Sequence, residues 1–188
     1  PGGGSVSALA GSLAVAMVAM VGNLTAGKEK YKDVEAEAKG ILAEANAIIS
    51  KLEQLVEADI AEFSKFMGAL KLPKNTEEEK AERTRVMQEV LKSATDTPME
   101  IARTCLEILK IAKGLSGIGN KGAISDVGVG AYLAEASLNS ALLSVDINLP
   151  MIKDEEYAAR ISAERNDLVE QARKLKEEAV AVVQKRLK

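Results

Sequence analysis

Two acidic residues, Asp59 and Glu62, and a glycine run ending in a hydroxyl, Gly2-Gly3-Gly4-Ser5, are where residue types and spacing in this chain point to chemistry. The 188-residue sequence has no histidine and one cysteine, Cys105. A Ser-His-Asp triad, a Cys-His pair and a His-ligated zinc site are therefore excluded within it. Proton transfer must fall to carboxylates, lysine, tyrosine or water. Asp59 and Glu62 continue an apolar seam, Ile41, Ala45, Ile48, Leu52, Leu55, which runs on to Phe66 in alternating steps of four and three. On the adjoining stripe Leu42, Ile49, Val56, Phe63 and Leu70 keep a seven-residue repeat, so Asp59 has Leu55, Val56 and Phe63 as helical neighbours. That leaves two readings: Asp59 is a general acid in a partly dry site, or it sits at the edge of the seam and reaches water or a capping amide.

The glycine run reads as a flexible turn ending at Ser5, a favourable N-cap type, ahead of a long apolar helix. Backbone N–H groups at the positive end of such a helix suit an anion, although an ordinary flexible lead-in has the same composition. No Lys-Ser or Lys-Thr pair follows at the spacing of a phosphate-binding loop. The formal G-x-G-x-x-G from Gly117 to Gly122 follows a helical pattern instead of a strand, which discounts a dinucleotide site. Cys105 lies inside an apolar helical pattern and is expected to be a buried thiol, not a nucleophile.

The elements that must position these residues are helices. Hydrophobic residues make up 47% of the chain and aromatics only 3%, a composition suited to helices packed through aliphatic side chains. The length suits one domain, 1–188. Net charge is −3 with basic and acidic residues interspersed, which argues against a nucleic-acid partner and leaves room for a local anion patch. The uncharged run Val6–Leu24 is long enough to span a bilayer, but its Ser, Gly, Ala and Asn content and lack of an aromatic belt favour a buried central helix over a membrane helix. No basic segment precedes it as in a signal peptide, so a cytoplasmic location is expected. The numbering starts at proline, consistent with residues preceding it.

Further helices are expected over about Asp33–Leu70, closed before Leu72-Pro73, and from a Thr76/Glu79 capping box to about Thr95. Pro98 in "DTPME" is expected early in another helix reaching the glycines near 114. One more should start at the Ser125-Asp126 pair and run to Leu149-Pro150, with Asn139 and Asn148 needing partners in its apolar body. The last, from about Asp154, carries one apolar stripe. The expectation is an all-α antiparallel bundle of about six helices. Its buried, nearly uncharged N-terminal helix needs cover from the other helices or from a second subunit.

"PGGGSVSALAGSLAVAMVAMVGNLTAGKEKY", "EADIAEFSKFMGALKLPKNTEEEKAERT" and "GNKGAISDVGVGAYLAEASLNSALLSVDINL", taken together and in order, resemble the cyclodeaminase/cyclohydrolase family of folate enzymes. The resemblance covers nearly the whole chain and lacks only the short helix that usually precedes the glycine turn. It implies an all-α homodimer with a tetrahydrofolate derivative bound in a groove near the interface, and neither a metal nor an organic cofactor. The implied reaction closes 5-formiminotetrahydrofolate to 5,10-methenyltetrahydrofolate with release of ammonia; alternatives are the 5,10-methenyl/10-formyl cyclohydrolase reaction or folate binding without turnover. No formiminotransferase segment is seen in the chain, which leaves the reaction open.

The family's "DAxAF" motif matches "ADIAEF" here and carries the catalytic aspartate onto Asp59. Ser125 and Asp126 are then expected to orient the pterin or its one-carbon unit, while Gly3, Gly4 and Ser5 donate backbone hydrogen bonds to substrate. Lys28, Lys30, Lys71 and Lys74 would steer or hold an anionic, possibly polyglutamylated, tail.

Overall fold

Aliphatic residues recurring at three- and four-residue spacing wind into five long helices in a computed structural model that describes residues 2–188. They are α1 (Gly3–Thr25), α2 (Glu35–Leu70), α3 (Glu77–Ile118), α4 (Ile124–Asn148) and α5 (Glu155–Leu187), and no strand occurs among the described residues. Single 3-10 segments, Glu29–Val34, Lys121–Ala123 and Leu149–Met151, join three of the helix pairs. Leu52 of α2, Ile108 of α3, Leu138 of α4 and Ile161 of α5 are fully buried in one continuous core with Val15 and Val18 of α1.

The helix count is five because Pro98 does not start a helix but lies inside α3. A proline there deprives the carbonyl four residues earlier of its partner. Asn148 at the end of α4 supplies the replacement, its Nδ2 donating to the Ala94 carbonyl at 3.1 Å. The other flagged amide, Asn139, is exposed and donates to Glu135 of its own helix.

Helix starts differ from expectation in two places. Gly2, not Ser5, is the N-cap of α1, and Ser5 lies in the first turn. At α4 the chain enters through a 3-10 turn held by Asn120, whose side chain accepts from the Gly122 N–H at 2.9 Å, so Ser125 and Asp126 already lie within the helix. The capping box at Thr76 and Glu79 forms, with the Glu79 N–H donating to Thr76 Oγ1 at 3.2 Å. Asp154 caps α5 by accepting the Tyr157 N–H at 3.0 Å.

α1 packs between α2 and α4 and also touches α3. Small residues bring these backbones together: a Cβ on Gly130 of α4 would lie 2.9 Å from the Ala14 carbonyl oxygen. Its length and composition would also allow α1 to cross a membrane, and 56% of its most apolar window is buried in the bundle. The cover is one-sided, however. Val6, Leu9, Leu13, Met20 and Leu24 stay exposed along one stripe of α1, and Val129, Tyr132, Leu133, Leu143 and Ile147 are exposed on neighbouring α4.

Candidate active site

Asp59 meets the glycine turn at the start of α1. Its Oδ2 accepts hydrogen bonds from the Ser5 N–H at 2.8 Å and the Ser5 hydroxyl at 2.9 Å, and Ser5 Oγ in turn accepts from the Gly2 N–H at 3.0 Å. A carboxyl group from α2 thus fills the place that a capping side chain or an anion takes at a helix N-terminus. Asp59 thus reaches a capping amide and is half-buried, and neither feature decides between its two sequence readings. Gly4 makes the approach possible, because a Cβ there would lie 2.1 Å from Asp59 Oδ1 and 2.6 Å from its Cγ.

This arrangement forms one end of a groove of about 610 Å³. Gly2, Gly3 and Gly4 line it with Asp59, Ile60, Glu62, Phe63, Ser64 and Phe66 of α2, Ala94 of α3, Ser144, Ile147 and Asn148 of α4, and Met151. A wall with a few polar groups set among apolar ones suits a flat, partly polar small molecule. Phe63, expected on the adjoining stripe as a neighbour that keeps the acid partly dry, is instead 63% exposed and lines the groove.

Glu62, one turn beyond Asp59, is the second carboxylate of the groove. Burial pushes its pKa up, but hydrogen bonds from Lys65 Nζ and Ser93 Oγ, both at 2.6 Å, outweigh this and hold it below the usual carboxylate range. Glu62 is therefore a fixed negative charge at neutral pH.

Gly3, Gly4, Ser5 and Asp59 are brought together as the sequence suggested, although Ser5 spends its N–H and hydroxyl on Asp59 and is itself buried. The other expected site residues lie elsewhere. Ser125 and Asp126 sit at the opposite end of α4 from Ile147, about 30 Å away by helical rise, so within one protomer they do not line the groove. Lys28 and Lys30 follow the far end of α1, more than about 30 Å from Gly3 by the same measure. Lys71 and Lys74 are exposed in the turn after α2, near the groove's distal end but outside its lining. Ser144, Ile147 and Met151 were not legible as site residues, since only the packing of α2 and α4 against α1 and α3 brings them to the same groove as Asp59.

Cys105 is inert: burial pushes its thiol up to about 12, its Sγ–H donates to Ser137 Oγ at 3.2 Å, and Ser137 donates to the Ser7 carbonyl. No cluster of three or more metal-ligating acidic or sulfur side chains occurs among the described residues.

Fold and groove together define an all-helical protein with a carboxylate-bearing small-molecule site at a glycine-rich helix start. The formiminotransferase-cyclodeaminase family model matches residues 1–184, and the chain belongs to that family. Methenyltetrahydrofolate cyclohydrolase of Methylorubrum extorquens is 39% identical over 187 residues, which cover 100% of this chain and 90% of that protein. Formimidoyltransferase-cyclodeaminase of Gallus gallus is 35% identical over 186 residues; the match takes in 99% of this chain but 34% of the longer relative. Among solved structures, formiminotetrahydrofolate cyclodeaminase from Thermotoga maritima has the same fold, with a TM-score of 0.88 and 30% identity over 98% of this chain and 88% of its own.

Proposed function

We propose that this chain is a folate one-carbon enzyme that converts 5-formiminotetrahydrofolate to 5,10-methenyltetrahydrofolate and ammonia, with Asp59 as its proton-transfer group. The observation that carries the reading is the Asp59 carboxyl, held on the Ser5 N–H and hydroxyl with its other oxygen close against Gly4 at the end of the groove. In the reaction N10 of the folate attacks the protonated formimino carbon to give a tetrahedral centre between N5 and N10. Asp59 takes the proton from N10 and delivers it to the departing nitrogen, which leaves as ammonia while the methenyl cation forms. Glu62, ion-paired with Lys65, presents its carboxylate to the same groove. Protons and electrons balance without a cofactor.

The near full-length match to a methenyltetrahydrofolate cyclohydrolase supports a second reaction at the same centre. Here Asp59 takes a proton from water adding to the methenyl carbon and gives it to N5 as the C–N5 bond breaks; the remaining hydroxyl proton passes to solvent as the formyl C=O forms, which leaves 10-formyltetrahydrofolate.

The working unit in this reading is a homodimer. The apolar stripes of α1 and α4 are open to solvent in the single chain and reach the groove through Ile147. If this face is seated on its copy with the α1 helices antiparallel, the Ser125–Asp126 end of one subunit comes beside the Asp59 end of the other. Orientation of the pterin by Ser125 and Asp126 then operates across the interface.

The deciding assay follows methenyl absorbance with 5-formimino- and 5,10-methenyltetrahydrofolate. Asp59→Asn should abolish turnover while folding and folate binding persist; turnover equal to wild type removes Asp59 from the mechanism. A wild-type chain that binds folate and turns over neither substrate is a binding module instead. Mixing inactive Asp59→Asn and Asp126→Asn chains should restore part of the activity if sites are shared across the dimer, and a mixture as inactive as its components excludes sharing.

A further inference from the structure

The groove does not end at Phe66. A second recess of about 360 Å³ shares Phe66 and Met151 with the first and continues along Leu70 of α2 and Arg83, Thr84 and Met87 of α3 to Lys153. The two compartments have opposite character. The charged residues lining the first are Asp59 and Glu62; those lining the second are Arg83 and Lys153, with no acid among them.

Both cations are placed by the fold and left without an anionic partner. Arg83 donates from Nη2 to the Leu70 carbonyl at 3.2 Å, which pins the guanidinium over the end of α2, while its Nε is buried with no hydrogen-bond partner. No carboxylate pairs with Arg83 among the described residues, whereas Arg85 on the same helix is held by Glu82 and Glu89, each at 2.6 Å. Lys153 is positioned through its backbone: Gln88 Oε1 accepts the Lys153 N–H at 2.7 Å, and Gln88 Nε2 donates to the Met151 carbonyl at 2.9 Å. The segment carrying Lys153 is thereby tied to α3, the helix that carries Arg83. Lys153 also makes no ion pair among the described residues. A guanidinium fixed at the wall of a recess with no carboxylate on it favours a carboxylate ligand, which the fork of an arginine matches.

We infer that Arg83, assisted by Lys153, binds the carboxylate of the substrate's glutamyl tail and so sets specificity for the glutamylated folate. The inference rests on the folate reading above and extends it to the distal end of the groove. A folate with a cationic one-carbon group at the pterin and an anionic tail has the same polarity as the two compartments. From Asp59 to Leu70, α2 rises by about 16 Å, so the elongated ligand lies along this helix with its aryl ring by Phe66.

The test compares 5-formimino- and 5,10-methenyltetrahydrofolate, each with its des-glutamyl tetrahydropteroate analogue, on wild type, Arg83→Gln, Arg83→Lys and Lys153→Gln. Loss of a charged hydrogen-bonding pair predicts a KM for the glutamyl substrate raised roughly tenfold to a hundredfold in Arg83→Gln, with kcat held. Arg83→Lys should recover part of this, Lys153→Gln should show a smaller rise, and KM for the des-glutamyl analogue should stay at the wild-type value in all of them. Circular dichroism melts identify any variant that loses its fold, and Lys153→Gln removes no side-chain hydrogen bond of the protein. An equal KM rise for the glutamyl and des-glutamyl forms, or none for either, overturns the tail assignment alone. A wild-type chain inactive on both the formimino and the methenyl substrate overturns the folate reading and this inference with it.

Discussion

Gly4→Ala isolates the geometry of the Asp59 site from its chemistry, because it adds one methyl group and removes no functional atom. The added Cβ would lie 2.1 Å from Asp59 Oδ1, and ordinary contact begins at 3.4 Å, so the carboxyl must retreat by about 1.3 Å. That movement breaks or stretches the hydrogen bonds from the Ser5 N–H and hydroxyl, now 2.8 and 2.9 Å. Two such bonds contribute about 2 to 3 kcal/mol. Replacing glycine by alanine in a helix returns up to about 1 kcal/mol. The net loss of about 1 to 2 kcal/mol lowers Tm by only a few degrees in a chain of this size. Turnover suffers far more, since misplacing a reacting group by about 1 Å costs on the order of 100-fold. The measurement pairs kcat on 5-formiminotetrahydrofolate with a thermal melt. Gly3→Ala is the control for displacement, because a Cβ there meets only Ser144 Oγ at 3.8 Å and leaves Asp59 in place. If Gly4→Ala keeps kcat within about threefold of wild type, the placement of Asp59 by the glycine turn does not set the rate, and the argument from close approach fails.

Two further outcomes are expected. Arg103 bridges to Glu164 through Nε at 2.6 Å and Nη2 at 2.9 Å and to Glu100 at 3.0 Å. The pKa of Glu164 is lowered, chiefly by its bonds to Arg103; that of Glu100 is lowered because bonds from Lys51 and Arg103 outweigh burial. A carboxylate depressed in the folded state contributes stability that is present above its unfolded pKa and is lost as pH falls through the folded one. Urea unfolding of Glu164→Gln should therefore lie below wild type by about 1 kcal/mol at neutral pH, the gap closing under acid below the ordinary carboxylate range; a gap independent of pH contradicts the assignment. Leu13→Glu, which places a charge on the exposed apolar stripe of α1, should convert a dimer to monomer in sedimentation analysis, and an unchanged oligomer size locates the interface elsewhere.

The sequence by itself determined the helices and the candidate acid. Periodicity is a local property, so α2, α5 and the capping box at Thr76 and Glu79 are legible from spacing, and the interruption of an apolar seam marks Asp59 and Glu62. The absence of histidine narrows the proton-transfer groups before any fold is known. Tertiary structure decided what these groups face. Asp59 and Ser5 are 54 residues apart, and only the packing of α1 on α2 makes the acid a cap for the glycine turn. Pro98 reads locally as a helix start, yet α3 runs through it because an amide from α4 takes the orphaned carbonyl. Ser125, Asp126 and Lys28 have suitable chemistry but are carried to the far pole, since a helix of more than twenty residues separates each from the groove. The pairing of Arg83 with Lys153 has no sequence signature, because it depends on where a turn after α4 crosses α3.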